Sequence, residues 1–397
     1  MKINQLAFLF CALLAACSGS EQSSEVTFND QIKSIYDLGG SQYQKLASNI
    51  STNQFPKTFE NNKVQTSGSG WWCSGFYPGT LLYLFEETGD SALLNLATEK
   101  LLELEKEQYN TTTHDLGFMM FCSFGNAYRI TSNPTYKEII YQSSKSLITR
   151  FDSTIGCIRS WDAAPWNDQW QYPVIIDNMM NLEMLLWAAE EFNDSTFAEI
   201  AKTHANTTLK NHYREDFSSY HVISYDTITG EVEKRNTSQG YADESAWARG
   251  QAWGLYGFTI MYRFTKDETY LNQARSIAKF LLNHPNLPED KVPYWDFNAP
   301  DIPNTKRDAS AGAIIASALL ELSEYVDQPL SDEYLTVAET MLKTLSNQDY
   351  LANQGEIGGF LLKHSVGHMP NGTEVDVPLS YADYYYIEAL KRYQNLK

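Results

Sequence analysis

The sequence predicts an all-α fold, an (α/α)6 barrel in which six helical hairpins close into a toroid. Three observations lead there. Five stretches repeat one pattern: an apolar helix with an aromatic or acidic end, a turn of two to four residues, and a second helix. The turns carry Gly-Asp, Asn-Pro, Asn-Asp, Lys-Asp and Asp-Gln-Pro, which stop one helix and start the next. No period-2 series of any length competes, although 217–235 and 354–364 have room for small hairpins.

In chain order, a lone helix is expected at about 28–50. The hairpins follow around YLFEETGDSALLNLA (83–97), AYRITSNPTYKEII (127–140), AAEEFNDSTFAEIA (188–201), MYRFTKDETYLNQA (261–274) and LSEYVDQPLSDEYL (322–335), and a last helix at about 379–395 brings the count to twelve. Asp90, Asp194 and Asp267 suit the N-caps of second helices, because a short acceptor side chain can take a free backbone N–H there. The first helices start near Ser74, Asp115, Asp177, Ser245 and Asp308, and the last near Leu379. Short turns make each pair antiparallel, so the six inner helices run the same way. Their N-termini and the long loops 51–73, 107–114, 152–172, 214–244, 284–307 and 349–378 then gather at one mouth, where a site is expected.

The bulk numbers narrow the function. The chain has 397 residues, 43% of them hydrophobic, enough for one large core. Its formal charge of −19 excludes a nucleic-acid binder, which needs a basic footprint. An anionic substrate would have to be held by local cations, not by the overall field. Aromatics are 13%, with 9 Trp and 25 Tyr, available both for core packing and for sugar faces.

At the N-terminus, Lys2 and the apolar run Leu6–Ala16 form a signal segment too short to span a bilayer. Leu14-Ala15-Ala16-Cys17 matches a bacterial lipoprotein cleavage box. The expected organisation is a lipoprotein signal at 1–16, a lipidated Cys17 and polar tether over 17–27, and one catalytic domain at 28–397, on the cell envelope and membrane-attached through the lipid alone. Cys73, Cys122 and Cys157 form no CxxC pair and read as buried free thiols. No phosphate loop and no GxSxG occur, and the HxxxH of His364 and His368 is interrupted by Gly367 in a loop, so neither metal nor cofactor is expected.

The unusual chemistry clusters at the predicted inner starts. Asp177 stands alone among Val174, Ile175, Ile176, Met179 and Met180. It reads either as a helix-start acid, held ionised, or as an acid whose proton is retained by apolar surroundings. Those effects oppose each other and the sequence leaves both open. Asp115, with His114 beside it, has the same two readings, and two such acids at one mouth suit acid/base work on a sugar. In WARGQAWG, Arg249 and Trp253 are i and i+4, a carboxylate clamp beside a stacking platform or a core cation–π pair. His221 lies in a long loop on the same side.

The stretches SGFYPGTLLYLFEETGD, HDLGF, VIIDNMMNLEMLLWAA, QGYADESAWARGQAWGLYGF and DVPLSYADYYYIEAL, in that order, resemble the unsaturated glucuronyl hydrolases, glycoside hydrolase family 88. The resemblance implies the (α/α)6 barrel. It also implies hydrolysis of oligosaccharides with a 4,5-unsaturated uronic acid at the non-reducing end: protonation at C4, water at C5, and collapse of the hemiketal. It implies that Asp177 is the general acid/base and Asp115 the supporting carboxylate. His114, Gln239, Arg249, Trp253 and His221 would line the unsaturated sugar, and Trp161 would stack on the next one. An unsaturated rhamnogalacturonyl hydrolase of family 105 type and a non-catalytic sugar-binding lipoprotein are the alternatives.

Overall fold

The computed structural model describes residues 27–397. Cys17, its signal segment and nearly all of the tether lie outside the described residues. Among the described residues there are twelve α-helices: α1 (Phe28–Ala47), α2 (Phe76–Thr88), α3 (Ser91–Leu104), α4 (Asn126–Thr131), α5 (Pro134–Ile148), α6 (Leu182–Phe192), α7 (Ser195–Asn211), α8 (Ala248–Thr265), α9 (Glu268–Asn283), α10 (Ala309–Ser323), α11 (Leu330–Leu345) and α12 (Ser380–Leu396). The even-numbered helices form the inner ring and the odd-numbered ones the outer. The ring closes because α12 packs on both α10 and α2, while α8 joins α10 to α6.

Local chemistry sets the hairpins. Asp90, Asp194 and Asp267 each cap a second helix by accepting the backbone N–H two residues on. The residue before each cap, Gly89, Asn193 or Lys266, is left-handed, so one unit ends a helix and begins the next. The inner helix α10 is enclosed on every side: all fifteen of its residues are buried. Leu319, Leu320 and Leu322 contribute about 1.5–3 kcal/mol each by leaving water.

Two inner elements differ from the expected α-helices. The segment beginning at Gly117 is a π-helix, Gly117–Gly125, that runs into α4. The one containing Asp177 is a 3-10 turn, Ile176–Asn181, that runs into α6. Both irregular turns sit at the mouth. They also approach closely: a Cβ on Gly117 would lie 2.5 Å from the Cα of Asn181. Asn181 Oδ1 accepts the N–H of Phe118 there, tying the two turns together.

Small antiparallel sheets dress the mouth. They are β1 (Phe55–Glu60) with β2 (Lys63–Ser67), β3 (Phe151–Asp152) with β4 (Cys157–Ile158), the sheet of β5 (Pro173–Ile175), β6 (Val222–Tyr225) and β7 (Val232–Asn236), and β8 (Ser365–His368) with β9 (Thr373–Val377). The hairpin expected within 217–235 is β6–β7. The stretch 354–364 forms no hairpin of its own; it holds a 3-10 turn at Ile357–Gly359 and a single bridge from Leu362 back to Leu351, and the strands β8 and β9 follow it. β1–β2 was not foreseen, because Val64 is the one apolar residue in Lys63–Ser67 and gives no alternation.

Candidate active site

β5 delivers Asp177 to the mouth. Its strand partner is β6, with Ile175 opposite Val222, and the N–H of Ile176 donates to the carbonyl of His221 at 3.1 Å. That register sets His221 beside Asp177. The Asp177 side chain caps nothing; Ile175 stands at the N-cap of its turn. Its side chain is 12% exposed. Burial pushes the carboxyl up to about 7, and the nearby Asp115 charge adds to the rise. Arg249, Asp177's own backbone N–H and the indole of Trp253 pull the other way without winning. Of the two readings of the sequence, burial favours the retained proton.

Asp383 supplies a contrast. It too is buried and pushed up to about 7. Yet it accepts the N–H groups of Leu361 and Leu362 and the hydroxyl of Tyr43, so its oxygens are spent on holding a loop. Asp177 Oδ2 makes no hydrogen bond of normal length, although the Trp253 indole is near enough to favour its charge. A buried acceptor left unpaired is costly, and its presence marks a site shaped for something else.

His221 faces that oxygen. Its Nδ1 accepts the N–H groups of Ser238 and Gln239, at 3.0 and 3.1 Å. Two donors on Nδ1 put the proton of the neutral ring on Nε2. Burial, aided by Arg249, holds the imidazole well below its usual pKa, so the ring is a neutral donor. Nε2 lies 3.8 Å from Asp177 Oδ2 and is unpartnered.

Asp115 does not cap its helix through its side chain either. Oδ2 accepts the Thr113 hydroxyl at 2.8 Å, and Oδ1 lies 3.3 Å from Nε2 of buried His114. Burial lowers the pKa of His114, whose Nδ1 remains unpartnered.

Arg249 is arranged differently from an open clamp. Nη1 donates to Asp308 Oδ2 at 3.2 Å and to the carbonyl of Val366; Nη2 donates to the carbonyl of Gly367 at 2.8 Å. Only Nε is free. Its cation–π partners are Trp247, 4.6 Å away, and Tyr381, 5.2 Å away, not Trp253. Trp253 is wholly buried between Phe118 and Tyr385 and presents no open face; its Nε1 is unpartnered. Gln239 Nε2 donates to the same Gly367 carbonyl at 2.9 Å. Trp161 packs edge-on against His221 with centroids 6.1 Å apart. Arg249 and Gln239 thus share the Gly367 carbonyl, Gln239 and Trp161 both meet His221, and His221 faces Asp177; Asp115, with His114 beside it, and Trp253 lie near enough to act on the Asp177 carboxyl.

Sequence reading missed Trp247, which packs on His221 at 4.5 Å, and Asp308, which anchors Arg249 and caps α10. Trp247 lay within the quoted WARGQAWG stretch, and Asp308 was marked as a helix start, so both had a signal. Among the described residues, no group of three His, Cys, Asp or Glu could hold a metal. Clefts of about 500 and 480 Å³ lie along the outer helix α9, away from these acids.

A helical barrel with a proton-retaining acid and a second carboxylate at one mouth is the arrangement expected of a glycosidase. The chain belongs to Glycosyl Hydrolase Family 88, whose model matches residues 47–396. It is 46% identical over 381 residues to an unsaturated glucuronyl hydrolase of Formosa agariphila, covering 95% of this chain and 94% of that one. It is 34% identical to an unsaturated chondroitin disaccharide hydrolase of Streptococcus agalactiae, over 85% of each. Among solved structures, an unsaturated glucuronyl hydrolase specific for heparin superposes with a TM-score of 0.89 at 48% identity, covering 93% of this chain and 98% of that one.

Proposed function

We propose that this enzyme removes 4,5-unsaturated uronic acid from the non-reducing end of lyase-generated oligosaccharides, of glycosaminoglycan or similar type, by hydrating the vinyl ether. The observation that carries the reading is Asp177: a buried carboxyl pushed up to about 7, with Oδ2 unpartnered and facing a neutral His221. Carbon is a poor base, so the acid that protonates it must still hold its proton near neutrality. In the proposed reaction Asp177 gives that proton to C4. Water bonds to C5 and returns a proton to the Asp177 carboxylate. The ring opens between C5 and its oxygen, leaving a hemiacetal at C1 that expels the next sugar.

The other residues support this chemistry. A protonated Asp177 does not repel the substrate's carboxylate, and buried Arg249 adds positive potential with a free Nε. His221 Nε2–H can orient the water or a substrate hydroxyl. Asp115, steadied by Thr113 and His114, supplies the second carboxylate. The test is incubation with a panel of lyase-generated unsaturated disaccharides while following the ultraviolet absorbance of the conjugated double bond. Loss of absorbance on any member supports the reading; no loss across glycosaminoglycan, pectin and ulvan fragments refutes it.

The proposal includes attachment to the cell envelope through a lipid on Cys17, supported by the Leu14–Cys17 box. Cys17→Ala should move the enzyme from the membrane to the soluble fraction.

A further inference from the structure

We infer that Trp166 forms an outer sugar-binding platform, so that the enzyme engages a third sugar and favours oligosaccharides longer than a disaccharide. The inference rests on the reaction proposed above. Exposure rises stepwise away from Asp177: His221 is buried, Trp161 half-buried, and Trp166 60% exposed. The ring-to-ring steps are 6.1 Å from His221 to Trp161 and 5.3 Å from Trp161 to Trp166. Each is close to the span of one pyranose. The rings meet edge to face, at 88° and 66°, so they share no single face; Trp166 offers its own apolar surface one sugar further out, and sugars present apolar C–H faces to such a ring.

A single exposed aromatic is ordinary on a protein surface. Trp166 is distinguished by how it is held. Its ring packs at 66° against Trp161, which is itself packed on Trp170. The loop beneath is folded around buried Asn167. That side chain accepts the N–H of Ala164 at 2.7 Å and donates to the carbonyl of Asp162 at 2.9 Å. Trp170 then fastens the loop to the β6–β7 sheet through its indole N–H to Asn236. At the root, Arg150 donates to the carbonyls of Arg159 and Ser160 and pairs with Asp162 at 2.9 Å. A loop so pinned holds an apolar ring out in water, an arrangement that core packing does not require and a stacking ligand does.

The test compares kcat/KM on an unsaturated tetrasaccharide and on the unsaturated disaccharide of the same polymer, for wild type, Trp166→Ala and Trp166→Phe. Trp166→Ala should lower the tetrasaccharide-to-disaccharide ratio about three- to tenfold, mainly through KM. Trp166→Phe should restore most of it, and all three proteins should melt alike. An active Trp166→Ala enzyme with an unchanged ratio removes the outer platform and leaves the reaction intact. A wild-type enzyme that consumes neither sugar removes both.

Discussion

His221 Nε2 stands 3.8 Å from Asp177 Oδ2, and neither atom has a hydrogen-bond partner. The gap is too wide for a direct bond and suits a bridging water or hydroxyl. Two substitutions separate the halves of the ring. Asn keeps an acceptor near Nδ1 and loses the Nε2 donor. His221→Asn should therefore keep its urea midpoint and lose about 100-fold in activity. Gln keeps the donor and leaves the N–H groups of Ser238 and Gln239 unpaired, so His221→Gln should lose about 1–3 kcal/mol in the same titration.

Burial of Asp177 makes stability depend on pH. Its folded pKa, about 7, is above the 3.8 of an unburied aspartate, so the folded state binds the extra proton between those values. Stability from this group is fully present below the unfolded pKa and falls as pH rises toward 7. Asp177→Asn removes that loss. The variant should melt higher than wild type at pH 8, with the difference shrinking to nothing by about pH 3. A difference that does not vary with pH would show that Asp177 ionises alike in both states.

The same proton governs the rate. kcat/KM on an unsaturated disaccharide should fall about tenfold per pH unit above roughly pH 7, as free enzyme loses the acid form. Asp115 raises the pKa of Asp177 through its charge. In the residual activity of Asp115→Asn, the alkaline limb should move to lower pH. A shift to higher pH would mean that another group sets the limb.

The site also depends on close packing behind it. A Cβ on Gly257 of α8 would overlap Met179, two residues beyond Asp177. Gly257→Ala should cost about 1–3 kcal/mol in denaturant titration and lower activity by displacing the 3-10 turn.

Much of the barrel was readable because its signals are local. Asp90, Asp194 and Asp267 cap through the very next turn, and the apolar inner helices need no partner to be recognised. Asp115 and Asp177 were found because acids at inner starts break an apolar pattern. What was hidden is long-range or subtle. The offsets that make Gly117–Gly125 a π-helix and Ile176–Asn181 a 3-10 turn are backbone choices with no side-chain period of their own. Arg249 was expected beside Trp253 from i, i+4 spacing, but Asp308 and the carbonyls of β8, far along the chain, decide where its guanidinium goes. His221 reaches Asp177 only through the β5–β6 register, which sequence spacing does not reveal.

One measurement bears most directly on Asp177 as the proton donor. Wild type and Asp177→Asn are given the same unsaturated disaccharide near pH 6.5, and loss of double-bond absorbance is followed after both are shown to be folded. Wild type should consume the substrate and Asp177→Asn should be slower by at least about 10²–10⁴-fold. A folded Asp177→Asn enzyme that works at the wild-type rate would contradict the assignment of the proton to Asp177.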